Sequence, residues 1–122
     1  MQKSILLVEN DYELSRIFST YLQAMGLNVA TFSNPGEALQ HFSSNMESYS
    51  IVLTDFVMEG MGGFEFAKEI KRLSGNGVPI IMLTGYSIND FATEEEIANT
   101  VTRVIIKPVS LKSLYTILSS YL

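Results

Sequence analysis

The 122-residue sequence contains no cysteine and a single histidine, His41. Without cysteine the chain has no disulfide, no thiolate nucleophile and no cysteine-ligated metal. A single histidine cannot form a histidine-rich metal site. We predict that His41 occupies an exposed position on a helix. Any chemistry must therefore come from carboxylates, hydroxyls, amides and lysines.

Basic residues are also scarce. The chain has eight Lys and Arg against 13 Asp and Glu, which gives a formal net charge of −5. Nucleic-acid binding requires a basic surface that neutralises phosphates, so we expect no direct binding to DNA or RNA. Any effect on DNA would have to pass through a partner protein.

Long hydrophobic runs are absent as well. The longest apolar runs cover four or five residues, which is too few to cross a bilayer. The N-terminus lacks the basic head and apolar core of a signal peptide. We therefore expect a cytoplasmic protein that does not associate with membranes. The length and the 47% hydrophobic content fit one globular domain over residues 1–122.

Short apolar runs alternate with amphipathic segments along the chain. Continuous apolar runs are typical of strands buried on both faces, and apolar residues at three- and four-residue spacing are typical of helices. Five successive pairs of an apolar run and an amphipathic segment predict an α/β fold with a parallel sheet and right-handed crossovers. The predicted strands cover residues 5–8, 28–32, 51–54, 78–83 and 104–106.

Most of the predicted helices begin at a residue that can cap a helix. The first helix has an apolar stripe of Leu14, Ile17, Phe18, Tyr21, Leu22 and Met25, and Gly26 ends it. The third has an inner face of Phe66, Ile70 and Leu73. The five helices are predicted to start after Asp11, Asn34, the segment 59–63, Thr93 and Ser110. The second is predicted to end near Asn45, the third at residues 74–77 and the fourth near Asn99.

Residues suited to handling phosphate follow four of the five predicted strands. Parallel strands end at the same edge of a sheet, which is where open α/β sheets bind ligands. Carboxylate, hydroxyl and ammonium groups are therefore expected to converge in one crevice. These residues are Glu9 and Asn10 after the first strand, Asp55 after the third, Thr84 after the fourth and Lys107 after the fifth.

Four motifs stand out by their order and spacing: ILLVEND at 5–11, IVLTDFVMEGMGGFE at 51–65, PIIMLTGY at 79–86 and VIIKPVS at 104–110. Through these motifs the chain resembles the receiver domain of two-component response regulators over essentially its whole length. The resemblance implies a flavodoxin-like (βα)5 three-layer sandwich whose parallel sheet has the order 2-1-3-4-5. It also implies a cis peptide bond between Lys107 and Pro108.

The resemblance assigns a role to each strand-end residue. Asp55 would accept a phosphoryl group from a histidine kinase or a histidine phosphotransfer protein, because an ionised carboxylate needs no base to form an acyl phosphate. Lys107 and Thr84 would contact phosphoryl oxygens. Mg²⁺ would be held by Glu9, Asn10, Asp55 and the backbone carbonyl of Val57.

Three positions depart from the family pattern. Asn10 stands where a second metal-binding acid is expected. It offers only a neutral carbonyl oxygen, which predicts weaker Mg²⁺ binding. Asp11 could supply the missing carboxylate, but it is expected to point elsewhere or to cap the first helix. Glu59 replaces the usual proline and either repels phosphate or slows or redirects dephosphorylation. Val104 replaces an aromatic that swings inward in other receivers, so the signal is expected to travel through residues 84–86 and the fourth helix.

Two functional hypotheses follow. In the first, the chain is a phosphoacceptor receiver that switches its binding to a downstream effector; it is not an enzyme beyond phosphoryl chemistry on itself. In the second, it is a degenerate pseudo-receiver that binds its partner without phosphorylation. Asn10 and Val104 favour the second hypothesis, whereas Asp55, Thr84 and Lys107 oppose it.

Two other classes fit less well. A haloacid-dehalogenase-like phosphatase would need a second aspartate two residues after the nucleophile, where this chain has Val57. A flavodoxin-type electron carrier would need a hydroxyl- and glycine-rich phosphate loop, whereas residues 9–11 are acidic and would repel a flavin phosphate. Whether the protein forms a homodimer stays open, since many receivers pair through their last helices.

Overall fold

The computed structural model describes residues 4–75, 77–85 and 92–122, in which five strands form one sheet. Every pair of neighbouring strands is parallel, and the order is 2-1-3-4-5, which confirms the expected fold class and topology. The strands are β1 (Ser4–Val8), β2 (Asn28–Phe32), β3 (Tyr49–Asp55), β4 (Ile80–Thr84) and β5 (Arg103–Ile106).

Helices connect the strands, and side-chain caps begin four of them. Asp11, Asn34 and Ser110 each accept a backbone N–H three residues further on, and Thr93 forms a reciprocal capping box with Glu96. These caps confirm the sequence prediction. Within the described residues, no helix is long and apolar enough to span a membrane. The helices are α1 (Tyr12–Ala24), α2 (Pro35–Asn45), α3 (Gly63–Ser74), α4 (Glu94–Thr100) and α5 (Leu111–Ser119), and a 3₁₀ turn covers Met46–Ser48.

The third strand is longer than the apolar pattern predicted. It begins at Tyr49 instead of Ile51, because Tyr49 pairs with Ser4 across a register shift in β1. It also includes Asp55, which pairs with Leu83 of β4. Asp55, which was predicted to follow this strand, is therefore its last residue.

The fourth strand begins two residues later than predicted. Val78 lies outside it, since Pro79 has no N–H to donate to a ladder and contributes only its carbonyl, which accepts the N–H of Val52 at 3.0 Å. Two residues of predicted segments, Asn76 and Tyr86, lie outside the described residues.

Helices cover both faces of the sheet, which makes three layers. The side chains of α2 and α3 pack on one face, and those of α1 and α5 pack on the other. Full burial of a large apolar side chain stabilises the fold by about 1.5–3 kcal/mol. On α3, Phe66 and Ile70 are buried as predicted, whereas the α1 stripe is narrower than predicted because Ile17 and Met25 are exposed.

His41 is half-buried, so the prediction of an exposed position was wrong. Its Nε2 lies 2.5 Å from the hydroxyl oxygen of Tyr49, and its ring lies 4.9 Å from that of Phe32. Burial raises the pKa of Tyr49. The helix position was correct, but the face on which His41 lies is covered by residues of β2 and β3.

Candidate functional site

The carboxyl ends of the central strands open onto one cleft. Thr84 ends β4 and pairs with Ile106, so the next residue, Lys107, emerges beside it. The Lys107 N–H donates to the Thr84 carbonyl at 2.7 Å. The cleft has a volume of about 500 Å³ and is lined by Glu9, Asn10, Asp11, Asp55, Val57, Thr84, Gly85 and Lys107. All six residues that the sequence singled out thus lie around the same cleft.

Lys107 is the cationic group at the centre of this cleft. Its ammonium nitrogen lies 2.7 Å from Asp55 Oδ1 and 3.6 Å from Glu9 Oε2. The Asp55 residue is 8% exposed and Glu9 is 1% exposed. Because both carboxylates are buried, the attraction to Lys107 is screened less than at a surface. The Lys107–Pro108 peptide bond is cis, as the resemblance implied.

Glu9 is the most deeply buried charged group of the cleft. One carboxylate oxygen, Oε1, accepts the Asp11 N–H at 3.1 Å. The other, Oε2, accepts no hydrogen bond from any described residue. Burial raises the pKa of Glu9 to about 7, and the nearby charge of Asp55 adds to the rise, while the Asp11 N–H and Lys107 oppose it. A buried carboxylate oxygen without a donor is suited to a cation.

Asn10 and Asp11 complete the β1 side of the cleft. Both are exposed, and Asp11 accepts the Leu14 N–H at 3.1 Å through Oδ1. Asp11 therefore caps α1, as the sequence predicted. Within the described residues, no three His, Cys, Asp or Glu side chains are grouped as a metal site, since the position next to Glu9 carries an amide.

The donors around the cleft still fit a hard divalent cation. Glu9, Asn10, Asp55 and Val57 line the cleft, and carboxylate, amide and backbone carbonyl oxygens are the ligands that such a cation prefers. The buried Glu9 Oε2, which lacks a hydrogen-bond donor among the described residues, is the observation that favours a cation here. With one carboxylate fewer than an all-acid set, the site holds less charge to attract it.

The chain bends after β3 and carries Val57 to the wall of the cleft. The Phe56 N–H donates to the Leu83 carbonyl at 2.9 Å, and the Gly63 N–H donates to the Phe56 carbonyl at 2.8 Å. Gly60, further along this segment, has a φ of +84°, a conformation that favours glycine. Glu59 is exposed and does not line the cleft, so its carboxylate is not one of the candidate metal ligands.

Gly85 directly follows β4, and Val104 lies in β5. Gly85 lines the cleft but was not singled out; its place directly after Thr84 is the signal that could have found it. Val104 is half-buried and packs with the core beneath α2 and α3. Valine has a compact side chain at this position, so the large swing of an aromatic ring is absent.

Comparisons with known proteins agree with this architecture. A family model described as the response regulator receiver domain matches residues 5–119. The response regulator receiver protein CpdR of Brucella abortus is 30% identical over 112 residues, covering 92% of this chain and 90% of that protein. The transcriptional regulatory protein CpxR homolog of Haemophilus influenzae is 44% identical over 80 residues, covering 66% of this chain and 33% of that protein.

A solved structure extends the comparison. The chemotaxis protein CheY4 of Vibrio cholerae superimposes with a TM-score of 0.86 at 26% identity, and each chain covers 100% of the other. The chain spans less than half the length of the transcriptional regulators that it matches.

Proposed function

The chain belongs to the response-regulator receiver family, and on that premise we propose that it is a phosphoacceptor switch. Asp55 accepts a phosphoryl group, and phosphorylation changes the binding of a downstream effector. The observation that carries this proposal is the 2.7 Å contact between Lys107 Nζ and Asp55 Oδ1 beside the buried Glu9. Such a cluster places a nucleophile next to a fixed cation at the edge where parallel sheets bind ligands.

The transfer step follows from these groups. A carboxylate oxygen of Asp55 forms the new P–O bond while the P–N bond of a donor phosphohistidine breaks, and the electron pair of that bond stays on the imidazole. Lys107 is within reach to neutralise charge on the incoming phosphoryl oxygens. Thr84, at the end of the neighbouring strand, lines the same cleft and would offer its hydroxyl to another phosphoryl oxygen. The donor is a histidine kinase or a histidine phosphotransfer protein.

Glu9, Asn10, Asp55 and the Val57 carbonyl are the residues that would hold Mg²⁺. When bound, such a cation neutralises negative charge on the phosphoryl group. The buried Glu9 Oε2, which has no donor among the described residues, supports this assignment. Asn10 weakens the site without removing its oxygen ligands.

The output side of the switch is proposed to use α4. Val104 provides no aromatic ring that could swing inward, so the shift would pass from Thr84 along the chain to α4 and from there to the effector. We place the phosphoryl transfer in the cytoplasm. Because the net charge is −5, we assign the chain no direct contact with nucleic acid.

The test is phosphorylation by a small donor. Purified protein is incubated with acetyl phosphate, with and without Mg²⁺, and its intact mass is measured. We expect one added phosphoryl group on the wild type in the presence of Mg²⁺ and none on Asp55→Asn. Absence of uptake by the wild type, or equal uptake by both proteins, contradicts the proposal.

A second candidate function is a pseudo-receiver that binds its partner without phosphorylation, and Asn10 is the observation that favours it. It predicts that wild type and Asp55→Asn bind the effector equally in the presence of acetyl phosphate and Mg²⁺. The phosphoacceptor switch predicts that only the wild type changes its affinity under these conditions.

A further inference from the structure

Thr54 places a hydroxyl inside an otherwise apolar stretch of β3. It is fully buried, and it pairs with Val8 on one side and Met82 on the other. Burial of a hydroxyl is unfavourable unless the group forms a hydrogen bond. Here the hydroxyl donates to the backbone carbonyl of Asp55 at 3.0 Å and lies 3.8 Å from the sulfur of Met58. The hydroxyl thus contacts both ends of the turn that follows the strand.

The same carbonyl is in close contact with the start of α3. A Cβ atom added to Gly63 would lie 2.0 Å from the Asp55 carbonyl oxygen and 2.7 Å from Phe56 Cα. The helix therefore approaches the turn as closely as a residue without a side chain allows. The Asp55 carbonyl is enclosed between the Thr54 hydroxyl and the Gly63 backbone.

Val57 has little packing of its own to hold it in place. It is 53% exposed, whereas its neighbours Phe56 and Met58 are 9% and 8% exposed. The position of Val57 at the cleft wall therefore depends on what holds the residues on either side. Thr54 contacts the carbonyl that precedes Phe56 and the sulfur of Met58, so it bridges the peptide segment that contains Val57.

We propose that Thr54 is a positioning residue for the cleft, fixing the turn between Asp55 and Met58 so that Val57 stays beside the Asp55 carboxylate. This inference rests on the proposed function, because it assigns the turn to the metal and phosphoryl site. Misplacing a ligand-bearing segment weakens binding and transfer even when no ligand atom is removed.

The experiment compares Thr54→Val, which keeps the shape and removes the hydroxyl, with Thr54→Ser, which keeps the hydroxyl. Thr100→Val, a buried threonine of α4, is the matched control. Hydrogen exchange of the metal-free proteins is measured at the Gly63 amide, which donates to Phe56, and at the Leu7 amide of β1, an internal strand of the sheet. Mg²⁺ affinity is measured by calorimetric titration with MgCl₂.

We expect Thr54→Val to speed exchange at Gly63 relative to Leu7 and to weaken Mg²⁺ binding, each between about twofold and tenfold, the range of one net hydrogen bond. Thr54→Ser and Thr100→Val should both stay within about twofold of the wild type. A change in global stability alone would move both amides together and leave Mg²⁺ affinity unaltered.

The inference is overturned if Gly63 exchange in Thr54→Val matches the wild type, or if exchange changes while Mg²⁺ affinity does not. Failure of the proposed function is distinguishable, because it is seen in the wild type itself as the absence of phosphoryl uptake. If the wild type also binds no Mg²⁺, no metal site exists for Thr54 to position, and the inference fails as well, whatever the exchange data show.

Discussion

Lys107 Nζ lies 2.7 Å from Asp55 Oδ1 and 3.6 Å from Glu9 Oε2, so one ammonium group compensates two buried carboxylates. One lysine cannot pair optimally with both carboxylates, and its distance to Glu9 is the longer of the two. The two carboxylates therefore carry more negative charge than Lys107 neutralises. This imbalance suits the binding of a further cation.

Removal of the ammonium group should destabilise the protein. In Lys107→Met the two carboxylates lose their counter-charge, and we expect the free energy of unfolding at pH 7.5 to fall by about 1–3 kcal/mol, less than for a fully buried pair because Lys107 is partly exposed. Urea unfolding measures the change. Lys112→Met, on the exposed side of α5, is the control, and Mg²⁺ should restore more stability to Lys107→Met than to the wild type.

A double-mutant cycle identifies the cause. If the loss arises from the ion pair, then Lys107→Met should cost less in an Asp55→Asn background than in the wild type. Equal losses in both backgrounds would show that packing of the lysine chain, and not its charge, stabilises the cleft.

Glu9 should make stability depend on pH. Because burial raises its folded-state pKa to about 7, above the ordinary 4.5, the folded protein binds this proton more tightly than the unfolded chain does. The resulting stabilisation is complete below about pH 4.5 and is lost as the pH rises through about 7. Without Mg²⁺, the wild type should lose up to about 3 kcal/mol relative to Glu9→Gln between these limits.

Denaturant unfolding at pH 5 and pH 8 measures this difference. The comparison with Glu9→Gln removes the contributions of the other titrating groups, because the amide does not ionise. Parallel pH profiles of the two proteins would contradict a raised pKa at Glu9. Added Mg²⁺ should flatten the profile of the wild type by stabilising the ionised carboxylate.

Asn10→Asp should strengthen Mg²⁺ binding. The substitution restores a second negative charge beside Glu9, and we expect the dissociation constant to fall about tenfold, since cation affinity rises with the number of charged ligands. Calorimetric titration measures it. Gln40→Glu adds the same charge on the exposed side of α2 and should leave the affinity unchanged. An equal gain from both variants would indicate a general charge effect instead of a new ligand.

The start of α3 can be improved. Gly62 is its N-cap and provides no side-chain hydrogen bond, and a Cβ atom at this position meets nothing within 4 Å. Gly62→Ser should therefore raise the free energy of unfolding by about 0.5 kcal/mol by capping the helix. Gly63→Ala should be strongly destabilising, because its Cβ would lie 2.0 Å from the Asp55 carbonyl oxygen. Similar effects of the two substitutions would contradict the described packing.

Local signals made much of the fold predictable. Capping by Asp11, Asn34, Thr93 and Ser110 depends on residues three positions apart, which are visible in the sequence. The strand order came from the family resemblance and is confirmed. The convergence of strand-end residues followed from the parallel arrangement of their strands, whereas their chemical roles remain proposals.

Features that depend on tertiary packing were not predictable. The contact between His41 and Tyr49 joins α2 to a strand whose first two residues interrupt the apolar pattern. The burial of Glu9 Oε2 depends on the elements around β1, and hydrophobic periodicity in the sequence does not reveal it. The bond from the Thr54 hydroxyl to the next carbonyl was also missed, because a threonine in a strand usually indicates only β propensity.

The position of Lys107 after the last strand has a consequence for biosynthesis. A ribosome delivers Glu9 and Asp55 before the lysine that compensates them, because β5 follows β1 and β3 in the chain. A nascent or truncated chain that stops before residue 107 would carry the two acids without their cation. Only a chain translated past this point can form the ion pair between Lys107 and Asp55.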